Sequence, residues 1–148
     1  MKIVLDTNCL LPTIFCNSSY YWFGDSFCKG GSVMCFSTDM CHECEELLSH
    51  FYSSEIGESV MQTIMNAANI ELITLYYKWN LISADPDDNK FVNCALNAGV
   101  DYIVTNDRHF NVLKSLNFPL IRIINIEKFI NFIILKFLHY NTKKNKKL

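Results

Sequence analysis

Four short segments, far apart along the chain, carry carboxylates placed where they could do metal chemistry. Asp6 follows the apolar run Ile3-Val4-Leu5, and Glu43 sits in a stretch with helical periodicity. Asp88 closes the segment Asp85-Pro86-Asp87-Asp88, and Asp107 follows Tyr102-Ile103-Val104-Thr105-Asn106. Carboxylates brought close repel one another, which raises a pKa or demands a cation. A hard divalent ion is the natural neutraliser, because Mg²⁺ and Mn²⁺ prefer oxygen ligands and keep several waters.

The elements that must position these acids follow from the pattern of apolar residues. Runs 2–5, 33–36, 102–104 and 120–124 read as short buried strands, continuous rather than alternating, as parallel sheets require. Residues 7–16, 20–28, 38–51, 57–66 and 127–137 read as helices, and the type of 70–77 stays open. Asp85 and Pro86 form a helix start, and Gly99 ends the helix whose buried face is Phe91, Cys94, Ala95 and Ala98. Short strands alternating with helices predict an α/β fold: one three-layer domain, a central parallel sheet with helices on both faces. Ligands of such sheets bind beyond the carboxyl ends of the strands, where Asp6 and Asp107 both fall.

Helix 38–51 offers three acids. Its apolar stripe is Met40, Cys41, Cys44, Leu47, Leu48 and Phe51, with Ser37 or Thr38 as its cap. Glu46 falls on the solvent side, while Glu43 and Glu45 are both rim positions that spacing alone does not separate. Capping accounts for Asp85 and Asp87. Asp88 lies three, four and seven positions before Phe91, Val92 and Ala95, on their side of the helix.

Rival signals are weaker. Cys41-His42-Glu43-Cys44, with Cys28 and Cys35 upstream, superficially resembles a zinc knuckle, but structural zinc needs four converging ligands. Both cysteines of the only close pair lie on the apolar stripe, where a free thiol packs as a small hydrophobe; Cys94 reads the same way. Neither Cys9 nor Cys16 has a nearby base. The aromatics Tyr20, Tyr21, Trp22, Phe23 and Phe27 read as core or interface packing, and Gly30-Gly31 lacks the pattern of a phosphate loop.

Val4-Leu5-Asp6-Thr7-Asn8, the glutamate helix, Asp85-Pro86-Asp87-Asp88-Asn89-Lys90-Phe91 and Tyr102-Ile103-Val104-Thr105-Asn106-Asp107 occur in an order and spacing that resembles the PIN-domain family. The likeness spans residues 2–130 and is greatest to a bacterial branch described as toxins of toxin–antitoxin pairs. It implies a metal-dependent endoribonuclease using one or two Mg²⁺ or Mn²⁺ ions, an RNA substrate, an antitoxin partner and a homodimer. Carried over residue by residue, Asp6, Glu43, Asp88 and Asp107 are the catalytic and metal-binding acids, and Asn8 and Thr105 support them. Where many relatives have a further acid, this chain has His109. Lys90, Arg108 and His109 flank the acids as candidate RNA contacts. The four acids also favour this reading over a non-catalytic PIN-like RNA-binding or protein-interaction module. A haloacid-dehalogenase phosphatase is disfavoured because Asp6-Thr7-Asn8 lacks its second aspartate, and a receiver domain because no clear lysine follows the last strands.

Composition agrees. Of 148 residues, 50% are hydrophobic and 19% charged, enough apolar surface for one core and too few charges for a disordered chain. Net charge is −2, but five of the 13 basic side chains lie within 136–148, which has no acid, so an acidic body precedes a basic tail. The expected organisation is a nuclease domain over 1–135 and a basic tail over 136–148. The apolar run after Lys2 is too short for an export signal, and 129–138 too short to span a bilayer. With seven cysteines read as reduced thiols, the expected setting is the cytoplasm, away from membranes.

Overall fold

Five strands, all parallel, build a sheet in the order β3-β2-β1-β4-β5. The computed structural model describes residues 1–14 and 32–145, with side chains of the last helix described through Lys136. The chain runs β1 (Lys2–Leu5), α1 (Thr7–Ile14), β2 (Val33–Phe36), α2 (Thr38–Phe51), α3 (Ser54–Met65) and β3 (Ile70–Leu72). A 3₁₀ turn (Pro86–Asp88) then leads into α4 (Asn89–Ala98), β4 (Tyr102–Val104), a second 3₁₀ segment (Arg108–Ser115), β5 (Ile123–Ile124) and α5 (Ile126–Asn145). The expected helix 20–28 and its aromatics, Gly30-Gly31, Cys16 and Cys28 lie outside the described residues.

The core explains why the strands are so apolar. Ile3, Val4, Leu5, Cys35, Phe36, Ile103 and Val104 are all buried, together with Phe91, Phe110 and Phe129 from the covering elements. From β1 the chain steps through β2 to β3, then returns to the other side of β1 as β4 and β5. Right-handed crossovers place the helices of the two directions on opposite faces. The order therefore reverses between β1 and β4, and the crevice above their carboxyl ends is the switch point of the sheet.

Several boundaries differ from the sequence reading. α3 starts at Ser54 rather than 57 because the Ser53 side chain accepts the Ile56 N–H at 3.3 Å and caps the helix early. Only Ile123 and Ile124 of the expected strand 120–124 pair with β4, and Leu120 is exposed. α5 runs to Asn145 instead of stopping near 137, since no glycine or proline interrupts it. The backbone of 136–145 thus continues a helix. In α2 the buried row is Met40, Cys44 and Leu48, whereas Phe51 is 63% exposed. A 14-residue helix is about 21 Å long against about 13 Å for a four-residue strand. The last turn overshoots the sheet.

Between β3 and α4 the chain is irregular, and three asparagines one helical turn apart hold it. Asn89 Oδ1 accepts the N–H groups of Leu81 and Ile82, and its Nδ2 donates to the carbonyls of Ile82 and Pro86. Asn93 Oδ1 accepts from Trp79 N, and Asn97 bonds the backbone of Tyr76 and Tyr77. This i, i+4, i+8 row aligns one face of α4 with the loop. It fixes the approach to Asp85–Asp88.

α2 and α3 pack as a hairpin whose close approach depends on Gly57. A Cβ there would stand 2.5 Å from Ser49 Oγ and 3.1 Å from the Glu45 carbonyl oxygen. Gly57→Val is expected to cost about 1–3 kcal/mol through overpacking, read as a lower midpoint in urea unfolding with an unchanged slope.

Candidate active site

β1 and β4 are paired in register, Leu5 beside Val104, so the next residues along each strand are also neighbours. Asp6 N–H donates to the Val104 carbonyl at 3.0 Å, prolonging the ladder by one step. The Thr105 hydroxyl then donates to Asp6 Oδ2 at 2.7 Å, and the Asn8 backbone N–H donates to Oδ1 at 3.2 Å. Asp6 is only 4% exposed. Burial pushes its carboxyl above the usual range, opposed by those two hydrogen bonds, and the charges of Asp107 and Glu43 push it further up.

Thr105 also organises its own strand end. Its hydroxyl oxygen accepts the Asp107 N–H at 3.0 Å, while Asp107 Oδ1 accepts the His109 N–H at 2.8 Å and caps the second 3₁₀ segment. Phe110 and Leu113 anchor that segment in the core.

The three aspartates of the Asp85–Asp88 turn have separate tasks. Asp85 Oδ1 caps the turn by accepting Asp87 N–H at 3.1 Å, and exposed Asp87 pairs with Lys90 at 2.6 Å. Asp88 makes no capping bond. Its Oδ2 instead lies 3.1 Å from His109 Nδ1, which is 3.5 Å from Asp107 Oδ1. Burial raises the Asp88 pKa; the His109 contact lowers it, and Asp85, Asp107 and Asp6 raise it again. Asp107 thus raises the pKa of both Asp6 and Asp88, and Asp6 that of Asp88, as carboxylates around one crevice do.

Glu43 reaches this crevice from α2, and the tertiary packing distinguishes it from Glu45. The Glu43 carboxylate pairs with Lys90 on α4, and its charge acts on Asp6. Lys90 is held between Glu43 and Asp87 with its side chain 13% exposed. Burial alone would lower the pKa of its ammonium, but the two carboxylates outweigh that and raise it. A groove beside it is lined by Asp39, His42, Glu43, Glu46, Leu47, Asp87 and Lys90.

Of the predicted positions, Asp6, Asp88, Asp107 and Thr105 meet at the switch point, with Glu43 at its edge. Asn8 is exposed and contributes through its backbone N–H. Arg108 is exposed at the start of the second 3₁₀ segment, and His109 faces Asp88. Spacing alone did not mark the Glu43–Lys90 pair, which joins two helices, nor the convergence of Asp85 with Asp88 and His109. The one available signal was the i, i+3 separation of Asp85 and Asp88.

The described cysteines stay out of this chemistry. Cys44 Sγ contacts Thr7 Oγ1 at 3.8 Å and Cys41 Sγ contacts Met65 Sδ at 3.7 Å, so the two thiols serve different contacts. Burial pushes Cys9, Cys44 and Cys94 up to about 12 and Cys35 up to about 11, well away from thiolate reactivity.

A PIN domain profile matches residues 2–109. The chain belongs to the PIN-domain family. Two solved structures share the fold of this PIN domain: VapBC2 from Rickettsia felis bound to a DNA fragment from the promoter, and DNA-bound VapBC from Salmonella typhimurium. The first is 18% and the second 21% identical; each has a TM-score of 0.59, with 84% of this chain and 98% of the other covered. No curated protein matches the chain significantly.

The raised Asp6 pKa sets a pH dependence. An unfolded aspartate titrates near 3.8, and the folded carboxyl keeps its proton to higher pH. Within that window the folded state binds more protons, so stability falls as pH rises, and the full penalty persists above it. In metal-free protein, the stability of Asp6→Asn relative to wild type is therefore expected to rise with pH above about pH 4, as the wild type meets the cost of charging the buried carboxyl. Urea midpoints measured across pH check this; a gap independent of pH contradicts it.

Proposed function

We propose that this PIN domain is a metal-dependent endoribonuclease, the toxin of a toxin–antitoxin pair, cutting RNA phosphodiester bonds in the cytoplasm. The observation that carries the reading is the meeting of Asp6, Asp88 and Asp107 around the β1–β4 switch point, with Glu43 near enough to repel Asp6. The donor set fits a hard dication. It consists of carboxylate oxygens whose mutual repulsion a cation relieves, and the Asp88 carboxylate takes no part in helix capping.

Asp6, Asp88 and Asp107 would hold one or two Mg²⁺ or Mn²⁺ ions, directly or through water. When bound, such an ion supplies a water acidic enough to attack at neutral pH and a positive clamp on the phosphate. The chain's own part is positional. Thr105 and the Asn8 N–H fix both oxygens of Asp6, and Lys90 pairs with Glu43, which would be a further ligand or orient the attacking water. Arg108, exposed beside Asp107, is placed to meet a backbone phosphate. An antitoxin covering the crevice would keep the enzyme inactive, as the family resemblance implies.

Purified protein is expected to cleave labelled RNA with Mn²⁺ or Mg²⁺ and to stop with EDTA. Asp6→Asn and Asp107→Asn are each expected to slow cleavage about 10²-fold or more, the scale of losing one group that stabilises transition-state charge. Metal-independent RNA binding without cleavage would sink the enzyme reading and leave a binding module. The toxin role is tested by whether the product of a small adjacent upstream open reading frame co-purifies and suppresses cleavage.

A further inference from the structure

His109 stands where the acid crevice opens to solvent, and its ring does more than border it. Nδ1 lies 3.1 Å from Asp88 Oδ2 and 3.5 Å from Asp107 Oδ1, between two of the carboxylates assigned above to the metal. One donor atom each from His109, Asp88 and Asp85 also lie within 4.8 Å of one another. Donors about 2.1 Å from one ion lie at most about 4.2 Å apart, so side-chain shifts of roughly half an ångström close this set on a cation. Capping engages Oδ1 of Asp85, and a carboxylate has further lone pairs to offer.

We propose that His109 is a metal ligand, forming with Asp88 and Asp85 a mixed imidazole–carboxylate position that selects Mn²⁺ or another transition dication over Mg²⁺. The inference rests on the nuclease reading for its neighbourhood and goes beyond it in ligand and metal. Its physical basis is donor chemistry. Mg²⁺ takes oxygen donors in strict octahedra and dehydrates reluctantly, whereas an imidazole nitrogen suits the transition ions. Asp88 is shared by the two groups: its Oδ2 meets the His109 ring that also nears Asp107, and it lies in the cluster with Asp85. Two anchors hold the ring in place: the Asp107 cap on the His109 N–H and the buried Phe110 beside it in sequence.

The test is pulsed electron paramagnetic resonance of Mn²⁺ bound to the full chain, with titration calorimetry for affinity. Wild type is expected to show nitrogen-14 coupling to the bound Mn²⁺, retained in His42→Gln and lost in His109→Asp. The same His109→Asp change is expected to weaken Mn²⁺ about tenfold or more while sparing Mg²⁺, narrowing the preference between them. Bound Mn²⁺ without nitrogen coupling in wild type overturns the proposal even if no variant folds. Metal-dependent RNA cleavage in that case leaves the nuclease reading standing; failure to bind Mn²⁺ at all removes both.

Discussion

A carboxylate buried at the end of a sheet is costly unless its neighbours are arranged around it, and Asp6 sets that constraint here. Its two oxygens are met by a hydroxyl and a backbone N–H, which favour the charged form without neutralising it. The Thr105 donor reaches Asp6 only because β1 and β4 pair in register at the point where the strand order reverses, whereas the Asn8 N–H is a local contact two residues on. A one-residue slip would turn every side chain of β4 to the opposite face. Thr105 would then lose Asp6.

Around this centre, the other charges are kept either apart or paired. Lys90 on α4 pairs with Glu43 on α2 and with Asp87 in the 3₁₀ turn, bridging the two helices that flank the crevice. The row Asn89, Asn93 and Asn97 serves the same end by neutral means, binding the backbone of a long irregular segment that would otherwise leave the Asp85–Asp88 turn unsupported. Asp85 and Asp87 satisfy the turn itself, leaving the Asp88 carboxylate for the crevice. Four neighbouring residues thus divide positional and chemical work, which composition alone would have blurred into one acidic patch.

The same division gives the fold an electrostatic logic. Among the described residues no helix is long and apolar enough to cross a membrane, and the apolar side chains instead fill the two faces of the sheet. Stability comes from that core. The crevice works against it, since burial and neighbouring carboxylates raise the pKa of both Asp6 and Asp88. Regions that oppose folding in this way are where binding and catalysis concentrate.

Much of this was legible in the sequence, because local patterns reflect local physics. The short apolar runs gave β1, β2 and β4, Gly99 gave the end of α4 through its left-handed φ of 62°, and the order of the motifs gave the family. What spacing could not supply was anything that depends on two elements meeting. Glu43 and Glu45 both sit on the rim of the helix's buried face, and only packing brings Glu43 to Lys90. Phe51 continues the apolar stripe yet overhangs the sheet, since strand length is no property of the helix. The sequence by itself determined which side chains were available and which strand ends carried them. The tertiary structure decided which of them face one another, because charge repulsion, hydrogen bonding and imidazole contact act across space between residues the chain keeps far apart.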